Sequence, residues 1–193
     1  MPITGTPITS AARTGMASLI TRWRRMVDDA DSGVWTDLEA QEILDQFRTE
    51  LVGLDLLPVA QRSGGAVVTT LYTTDGRGNL EESGSGAEAW RLYDSAGEAV
   101  SVDNVDYLLG LLRWDVDQAG AARLLDCRSY DLHGAAALGW RERMASKASS
   151  YDFEADGARY TRSQWFKHCS LMAEHYEAQR PARVGTLARS DAW

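Results

Sequence analysis

Apolar residues recur every three or four positions near the N-terminus, and this spacing predicts two amphipathic helices. The first is marked by an apolar stripe made of Leu19, Ile20, Trp23, Met26 and Val27. The second opens at Thr36, where Glu39 completes a capping-box signature. Pro58 is expected to end this second helix. Its apolar face is Ala40, Ile43, Leu44, Phe47, Leu51 and Leu54.

The middle of the chain changes its period, and short β-branched runs alternate there with turns. Residues 66–73 predict a strand between glycine-containing turns. Residues 90–93 and 100–102 flank a turn at 94–97, a pattern typical of a β-hairpin. Residues 108–114 fit a strand or a short helix, and the strand is favoured.

The C-terminal third predicts a helix, a hairpin and a second helix. Asp131 is placed to cap a helix that runs to about Ser149. Asp156-Gly157 has the sequence of a tight hairpin turn. The second helix starts near Ser163 and stops before Pro181. Its buried stripe is Trp165, Cys169, Met172, Ala173 and Tyr176.

These elements predict a mainly α fold, a helical-bundle core with a small antiparallel β-hairpin excursion, α+β overall. Each part of the chain then has an expected role. The parts are a mobile N-terminal arm at 1–15, N-terminal helices at 16–58, a β-hairpin or loop excursion at 59–128, a helix–hairpin–helix core at 129–180 and a C-terminal tail at 181–193.

The charge of the chain disfavours some classes of function. The 193 residues carry a formal net charge of -8 at pH 7, which disfavours nucleic-acid binding through a basic face. Residues 1–27 contain four arginines and no acid, whereas residues 28–55 contain nine acids and one arginine. A solvated helix face is the simpler explanation, and complementary contact between subunits is the alternative.

Cysteine content and hydropathy predict a soluble protein of a reducing compartment. The chain has two cysteines, Cys127 and Cys169, too few for a disulfide framework. Its N-terminus lacks the apolar core of a signal peptide. No apolar run approaches the ~18 residues that would span a bilayer.

The residues 152–157 imitate the start of a calcium-binding loop. Such a loop needs a bidentate Glu at its twelfth position, and that position is Ser163 here. Without the bidentate carboxylate the ion loses its strongest ligand. We therefore interpret the segment as a plain β-turn.

Other candidate ligands are poorly spaced for a metal. His168 and His175 lie seven residues apart, whereas helical metal pairs use three or four, and Cys169 points to a different face. A divalent ion could in principle gather Asp115, Asp117, Asp126 and Asp131. An exposed polar edge explains these carboxylates as well and is favoured. With no phosphate loop and no nucleophile motif, we expect no enzymatic activity, no cofactor and no metal.

One block of the chain resembles a known protein family. The matching residues are Ser129–Leu132, Ala135–Ala137, Tyr151–Phe153, Asp156-Gly157, Tyr160–Gln164, Ala173 and Tyr176. This pattern resembles the head–tail connector (adaptor, or head-completion) proteins of long-tailed bacteriophages. It covers about 50 residues well and extends loosely upstream through 107–110.

The resemblance implies a homo-oligomeric ring, commonly a dodecamer, in the virion at the head–tail junction. Its implied partners are the portal protein and the next connector or tail-terminator ring. Double-stranded DNA would pass through the channel without sequence-specific binding, and no membrane is involved. Assembly would take place in the cytoplasm of the bacterial host.

Two sets of residues follow as hypotheses. The tail would bind the portal through positive charge and an aromatic anchor, provided by Arg180, Arg183, Arg189 and Trp193. Close packing between subunits would use Ala135, Ala136, Gly139 and Arg143. The alternative function is a small nucleic-acid-binding or regulatory module that uses Arg22, Arg24 and Arg25.

Overall fold

The computed structural model describes residues 12–85, 90–146, 153–155, 158–160 and 162–181. Four helices occur there: α1 (Ala17–Met26), α2 (Asp37–Asp45), α3 (Leu132–Ser146) and α4 (Arg162–Ala178). The strands are β1 (Arg48–Asp55), β2 (Leu57–Ser63), β3 (Ala66–Thr73), β4 (Trp90–Asp94), β5 (Asn104–Asp106), β6 (Leu111–Arg113), β7 (Arg123–Tyr130), β8 (Phe153–Ala155) and β9 (Ala158–Tyr160).

The prediction of a mainly α fold is wrong. Seven strands form two antiparallel sheets, and the described residues are 36% helical and 30% strand, so this is an α+β fold. The β part runs from Arg48 to Tyr130 and is therefore wider than the expected 59–128 excursion. The structure also includes residues 12–15, which fall within the expected mobile arm.

The second helix is shorter than the sequence predicts. Its capping box is confirmed, because the Thr36 side chain accepts from the Glu39 N–H and the Glu39 side chain accepts from the Thr36 N–H. The helix nevertheless ends at Asp45, and the chain enters β1 three residues later. β1 hydrogen-bonds along β7, so pairing with a distant segment overrides the local helical periodicity.

The two sheets are connected through edge strands that follow each other in the chain. Their strand orders are β1-β7-β4 and β2-β3-β6-β5, and the edge strands β1 and β2 are joined through Leu56 alone. A register shift interrupts the pairing of β1 with β7 and that of β2 with β3, and Pro58 lies in β2. Such bulges and prolines discourage an exposed edge from pairing with other chains.

Side chains from both sheets bury one common core. Its members are Leu56, Tyr72, Leu80, Leu92, Leu112, Trp114, Leu125 and Cys127. Tyr72 and Trp114 meet edge to face, with ring centroids 5.1 Å apart. A second core lies among the helices and centres on Trp23, Leu44, Ala136 and Trp140. None of the helices in the described part of the chain is long and apolar enough to cross a bilayer.

The turn between β5 and β6 is held firmly against the segment that follows β3. The Asp106 carboxylate accepts hydrogen bonds from the N–H groups of Leu108 and Leu109, each at 3.0 Å. Gly110 has a φ of +66° and lies against Thr74 and Arg77. Thr74 is fully buried and its hydroxyl donates to the Arg77 carbonyl. A side chain at position 110 would overlap these atoms.

Replacing Gly110 tests whether this clamp is needed for stability. We expect Gly110→Ala to lower the free energy of unfolding by about 2–5 kcal/mol, because it adds steric overlap to a strained φ. Gly97→Ala is the matched control, since Gly97 also has a positive φ of +86° but has nothing within 4 Å of an added Cβ. It should cost about 1–2 kcal/mol. Urea titration measures both, and equal losses would contradict the steric argument.

Candidate functional site

The most concentrated group of charges in the structure lies between the helices and the sheets. At its centre is Glu81, whose side chain has no solvent exposure. The Arg13 Nε atom donates to Glu81 Oε1 at 2.8 Å, and the Tyr130 hydroxyl donates to Glu81 Oε2 at 2.6 Å. Arg128 Nη1 lies 3.7 Å from the same Oε2 atom. We call Arg13, Asp45, Glu81, Arg128 and Tyr130 the buried junction.

Arg13 connects this carboxylate to helix α2. Its two Nη atoms donate to the two oxygens of Asp45 at 2.9 and 2.7 Å, a bidentate arrangement. Its backbone N–H donates to Gln41 Oε1 at 2.6 Å. One arginine therefore ties the N-terminal segment, the end of α2 and the segment after β3 together.

The surroundings fix the charge state of these groups. The hydrogen bond that Arg13 donates to Asp45 is the largest influence on its pKa and, together with Glu81, raises that pKa despite partial burial. Burial and, next, the hydrogen bond to Glu81 raise the pKa of Tyr130. Arg13 thus stays charged and Tyr130 stays neutral at physiological pH. Arg13 and Tyr130 therefore contribute a charge and a hydrogen bond to the junction that do not change near neutral pH.

The candidate metal ligands are not brought together. Three of these carboxylates instead accept separate hydrogen bonds within the fold. Asp117 accepts from the Thr69 N–H, and Asp126 accepts from the Gly53 N–H. Asp131 accepts from the Gly134 N–H and from Arg180. The bonds from Thr69 and then Ala119 lower the pKa of Asp117. Across the described ranges no three His, Cys, Asp or Glu side chains form a group able to hold a metal ion.

The histidines lie beside aromatic rings on the two C-terminal helices. The His168 ring lies 5.4 Å from that of Trp140 and 5.9 Å from that of Trp165. Cys169 is a buried free thiol whose pKa burial raises. Of the calcium-like segment, residues 153–155 form β8, which pairs with β9, whereas Asp152, Asp156 and Gly157 lie outside the described residues.

The small residues of α3 pack within the chain. Ala135 and Ala136 are fully buried in the helical core. A Cβ added to Gly139 would lie 2.9 Å from atoms of Trp23 and Val27 on α1 and just after it. These residues therefore allow the close approach of α1, and in the described structure no surface of theirs is left for a neighbouring subunit.

The charged residues singled out on the C-terminal helices also have internal partners. Arg143 donates to the carbonyls of Val27 and Asp28 and lies over two tryptophan rings. Arg180 pairs with Asp131 at 2.9 Å and with Glu177 at 2.6 Å. Arg183, Arg189 and Trp193 lie outside the described residues.

The N-terminal arginine cluster does not form a basic face. Arg24 is 4% exposed and donates to the Trp35 carbonyl and to Asp37. Arg22 Nη1 donates to Asn79 Oδ1 at 2.7 Å. Of Arg22, Arg24 and Arg25, only Arg25 has no side-chain hydrogen bond or ion pair within the described ranges. Arg13 and Arg24 thus pair inside the chain with acids of residues 28–55.

Sequence patterns did not point to the buried junction. Arg13 lies in a Thr- and Gly-rich stretch, and Glu81 lies in a coil beside Glu82, with no spacing that links them. Their pairing joins positions 68 residues apart. No protein-family model, no curated protein and no solved structure matches this chain.

Exposed apolar side chains of the described residues are further features that could serve a function. The large ones are Val34, Val52, Leu57, Val67, Leu108, Leu109, Val116, Phe166 and Leu171. Phe166 and Leu171 are 43% and 54% exposed on α4, while Cys169 and Ala173 of the same helix are buried. α4 packs chiefly against α3. Phe166 and Leu171 are therefore available for contact with another molecule.

Removing Arg13 tests the junction. We expect Arg13→Ala to lower the free energy of unfolding by about 3 kcal/mol, because it leaves the buried Glu81 carboxylate without its closest cation. The control Arg25→Ala should change it by less than about 0.5 kcal/mol, since Arg25 has no described partner. Denaturant titration of both variants provides the comparison. A cost for Arg13→Ala as small as that of the control would show that the junction does not stabilise the fold.

Alkaline titration tests the environment of Tyr130. An unfolded tyrosine loses its proton at about pH 10, whereas the raised folded-state pKa keeps Tyr130 protonated. Its contribution to stability is thus complete below about pH 10 and is lost as the pH rises above it, by about 1.4 kcal/mol per pH unit. Tyr130→Phe should make the unfolding free energy less dependent on pH above pH 10. The same slope in both proteins would contradict a buried phenol at this position.

Proposed function

We propose that this protein is a structural subunit of the head–tail junction of a long-tailed bacteriophage. It assembles into a ring that docks on the portal protein and passes DNA to the tail. The proposal rests on the resemblance of residues 129–176 to connector proteins. It is supported by the helix α3, the β8–β9 hairpin and the helix α4, which follow one another in that segment.

Two exposed apolar side chains of α4 are the observation that favours assembly most directly. Phe166 and Leu171 are exposed on a helix of 17 residues whose main neighbour is α3. The two positions are five residues apart, so their side chains project about 140° apart around the helix. Packing of α4 between two neighbouring subunits of a ring would cover both of them. A heterologous contact of this kind, repeated around an axis, closes into a ring when the rotation fits.

The charge balance suits passage of DNA without binding. The net charge of -8 would repel the phosphate backbone, so an acidic channel would not retain it. The alternative, a nucleic-acid-binding module, would need the arginines at 22, 24 and 25 to be displayed together. Arg24 is buried and Arg22 is hydrogen-bonded to Asn79, which does not favour that alternative.

Size measurement and electron microscopy test the ring. The purified chain, alone and mixed with the portal protein of the same genome, should form rings in negative stain. A Phe166→Glu/Leu171→Glu double variant should remain folded, as judged by circular dichroism, but fail to form rings because two buried contacts become charged. Val116→Glu, at another exposed aliphatic position, is the control and should assemble normally.

Two results would contradict the proposal. A monomer that ignores the portal at every concentration would argue against a connector. A salt-dependent shift of DNA by the isolated chain would favour the nucleic-acid-binding alternative instead.

A further inference from the structure

A cleft of about 460 Å³ is lined by one side of helix α1, by residues 12–14 before it and by the loop that leads to α2. We call it the α1 cleft. Its lining includes Ala17, Thr21 and Arg25 on α1 and Ala30 and Ser32 on the loop, and all five are exposed. Apart from Arg25 these side chains are short, so the cleft has room for a larger side chain from another molecule.

The charges of the α1 cleft are only partly used within the chain. Arg13 and Arg24 also line it, and they pair with Asp45 and Asp37. Arg25 has no side-chain hydrogen bond or ion pair within the described ranges. The Asp37 side chain is 70% exposed, and its Oδ2 atom accepts no hydrogen bond from a described residue. The cleft therefore presents one unpaired cation and one available carboxylate oxygen.

One face of α4 has the features that this cleft would accept. It consists of Lys167, Leu171, Glu174 and Ala178, which follow each other at helical spacing and are all exposed. We call these four residues the α4 stripe. Leu171 lies two residues from both Cys169 and Ala173, which are buried, and two residues turn about 200° around a helix. The stripe therefore faces away from the packed side of α4.

The charges of the α4 stripe are available as well. Lys167 has no hydrogen bond or ion pair among the described residues. The Glu174 carboxylate accepts one bond there, from the Ser170 hydroxyl at 3.2 Å. Lys167 and Glu174 lie on either side of Leu171 along the helix. An apolar side chain flanked by two opposite charges thus matches a cleft that offers room, a cation and a carboxylate.

We propose that the α4 stripe of one copy of this chain docks in the α1 cleft of the next copy. Leu171 enters the cleft, Glu174 pairs with Arg25, and Lys167 pairs with Asp37. This contact deepens the proposed connector function, on which it rests, because it names the two surfaces that meet between neighbouring subunits.

The contact joins two different surfaces of the same chain, so it is heterologous. The stripe of each copy occupies the cleft of the copy ahead, and its own cleft receives the stripe of the copy behind, as closure of a ring requires. The two pairs of opposite charges fix the register of the contact. Phe166 lies on another side of α4 and does not take part in it.

Cysteine cross-linking between copies tests the contact. The single variants Leu171→Cys and Ala17→Cys are mixed, allowed to assemble with and without the portal protein, and treated with a short bis-maleimide. We expect a cross-linked dimer from the mixture and none from either variant alone, because the two new thiols meet only between different copies. The native Cys127 and Cys169 are buried and do not compete.

A matched control uses the other exposed apolar position of α4. Phe166→Cys mixed with Ala17→Cys should give no cross-link, because the side chain at position 166 projects about 140° away from that at position 171. The comparison separates docking of the stripe from chance collisions of exposed thiols.

Charge exchange tests the pairing separately. Arg25→Glu brings two carboxylates together at the contact, so it should raise the protein concentration needed for assembly by at least about tenfold. Glu174→Arg in that background exchanges the two charges and should restore assembly. Arg62→Glu, the same change at an exposed arginine of β2, is the control and should assemble normally. Circular dichroism and denaturant titration establish that each variant is folded.

The outcomes separate this contact from the connector function. Rings that form without the cross-link and tolerate Arg25→Glu would overturn the contact and leave the connector function standing. A closed, cross-linked dimer in place of a ring would support the contact but contradict the connector function. Cross-linking of Leu171→Cys with itself would show that two stripes meet across a two-fold axis, which also overturns the contact. A chain that stays monomeric with and without the portal would contradict both.

Discussion

The buried ion pair between Arg13 and Glu81 is the interaction on which the rest of the structure depends. A carboxylate with no solvent exposure is costly unless cations and donors surround it. Arg13 supplies that charge and also holds Asp45 at the end of α2. Tyr130, the last residue of β7, completes the arrangement. The helical core and the β core are thereby held to each other through Arg13 and Tyr130.

The same place is where the β part enters and leaves the helical part. Arg48, the first residue of β1, pairs with Tyr130, the last residue of β7, and the Asp131 N–H donates to the Phe47 carbonyl at 3.1 Å. Two neighbouring connections thus carry the whole insertion between α2 and α3. This geometry lets a β unit with its own core project from a helical unit while the two remain rigidly joined.

Many charged and small side chains contact partners inside the fold, and this limits which surfaces are available for function. The arginines that suggested a basic patch and the small residues that suggested a subunit contact are occupied within the fold, as Arg24 and Gly139 illustrate. Among the described residues, two sets of exposed apolar side chains remain. One set is Phe166 and Leu171 on two sides of α4, and the other is at the β5–β6 turn with Leu108.

The sequence by itself determined the elements that depend on near neighbours. The α1 stripe, the Thr36–Glu39 capping box, the strand at 66–73 and the buried face of α4 all follow from spacings of a few residues. Only the tertiary structure decided that 48–55 is a strand and that Glu81 is buried beside Arg13. Both depend on partners some 70 to 80 residues away, and the free energy of such pairing appears only when the chain has closed on itself.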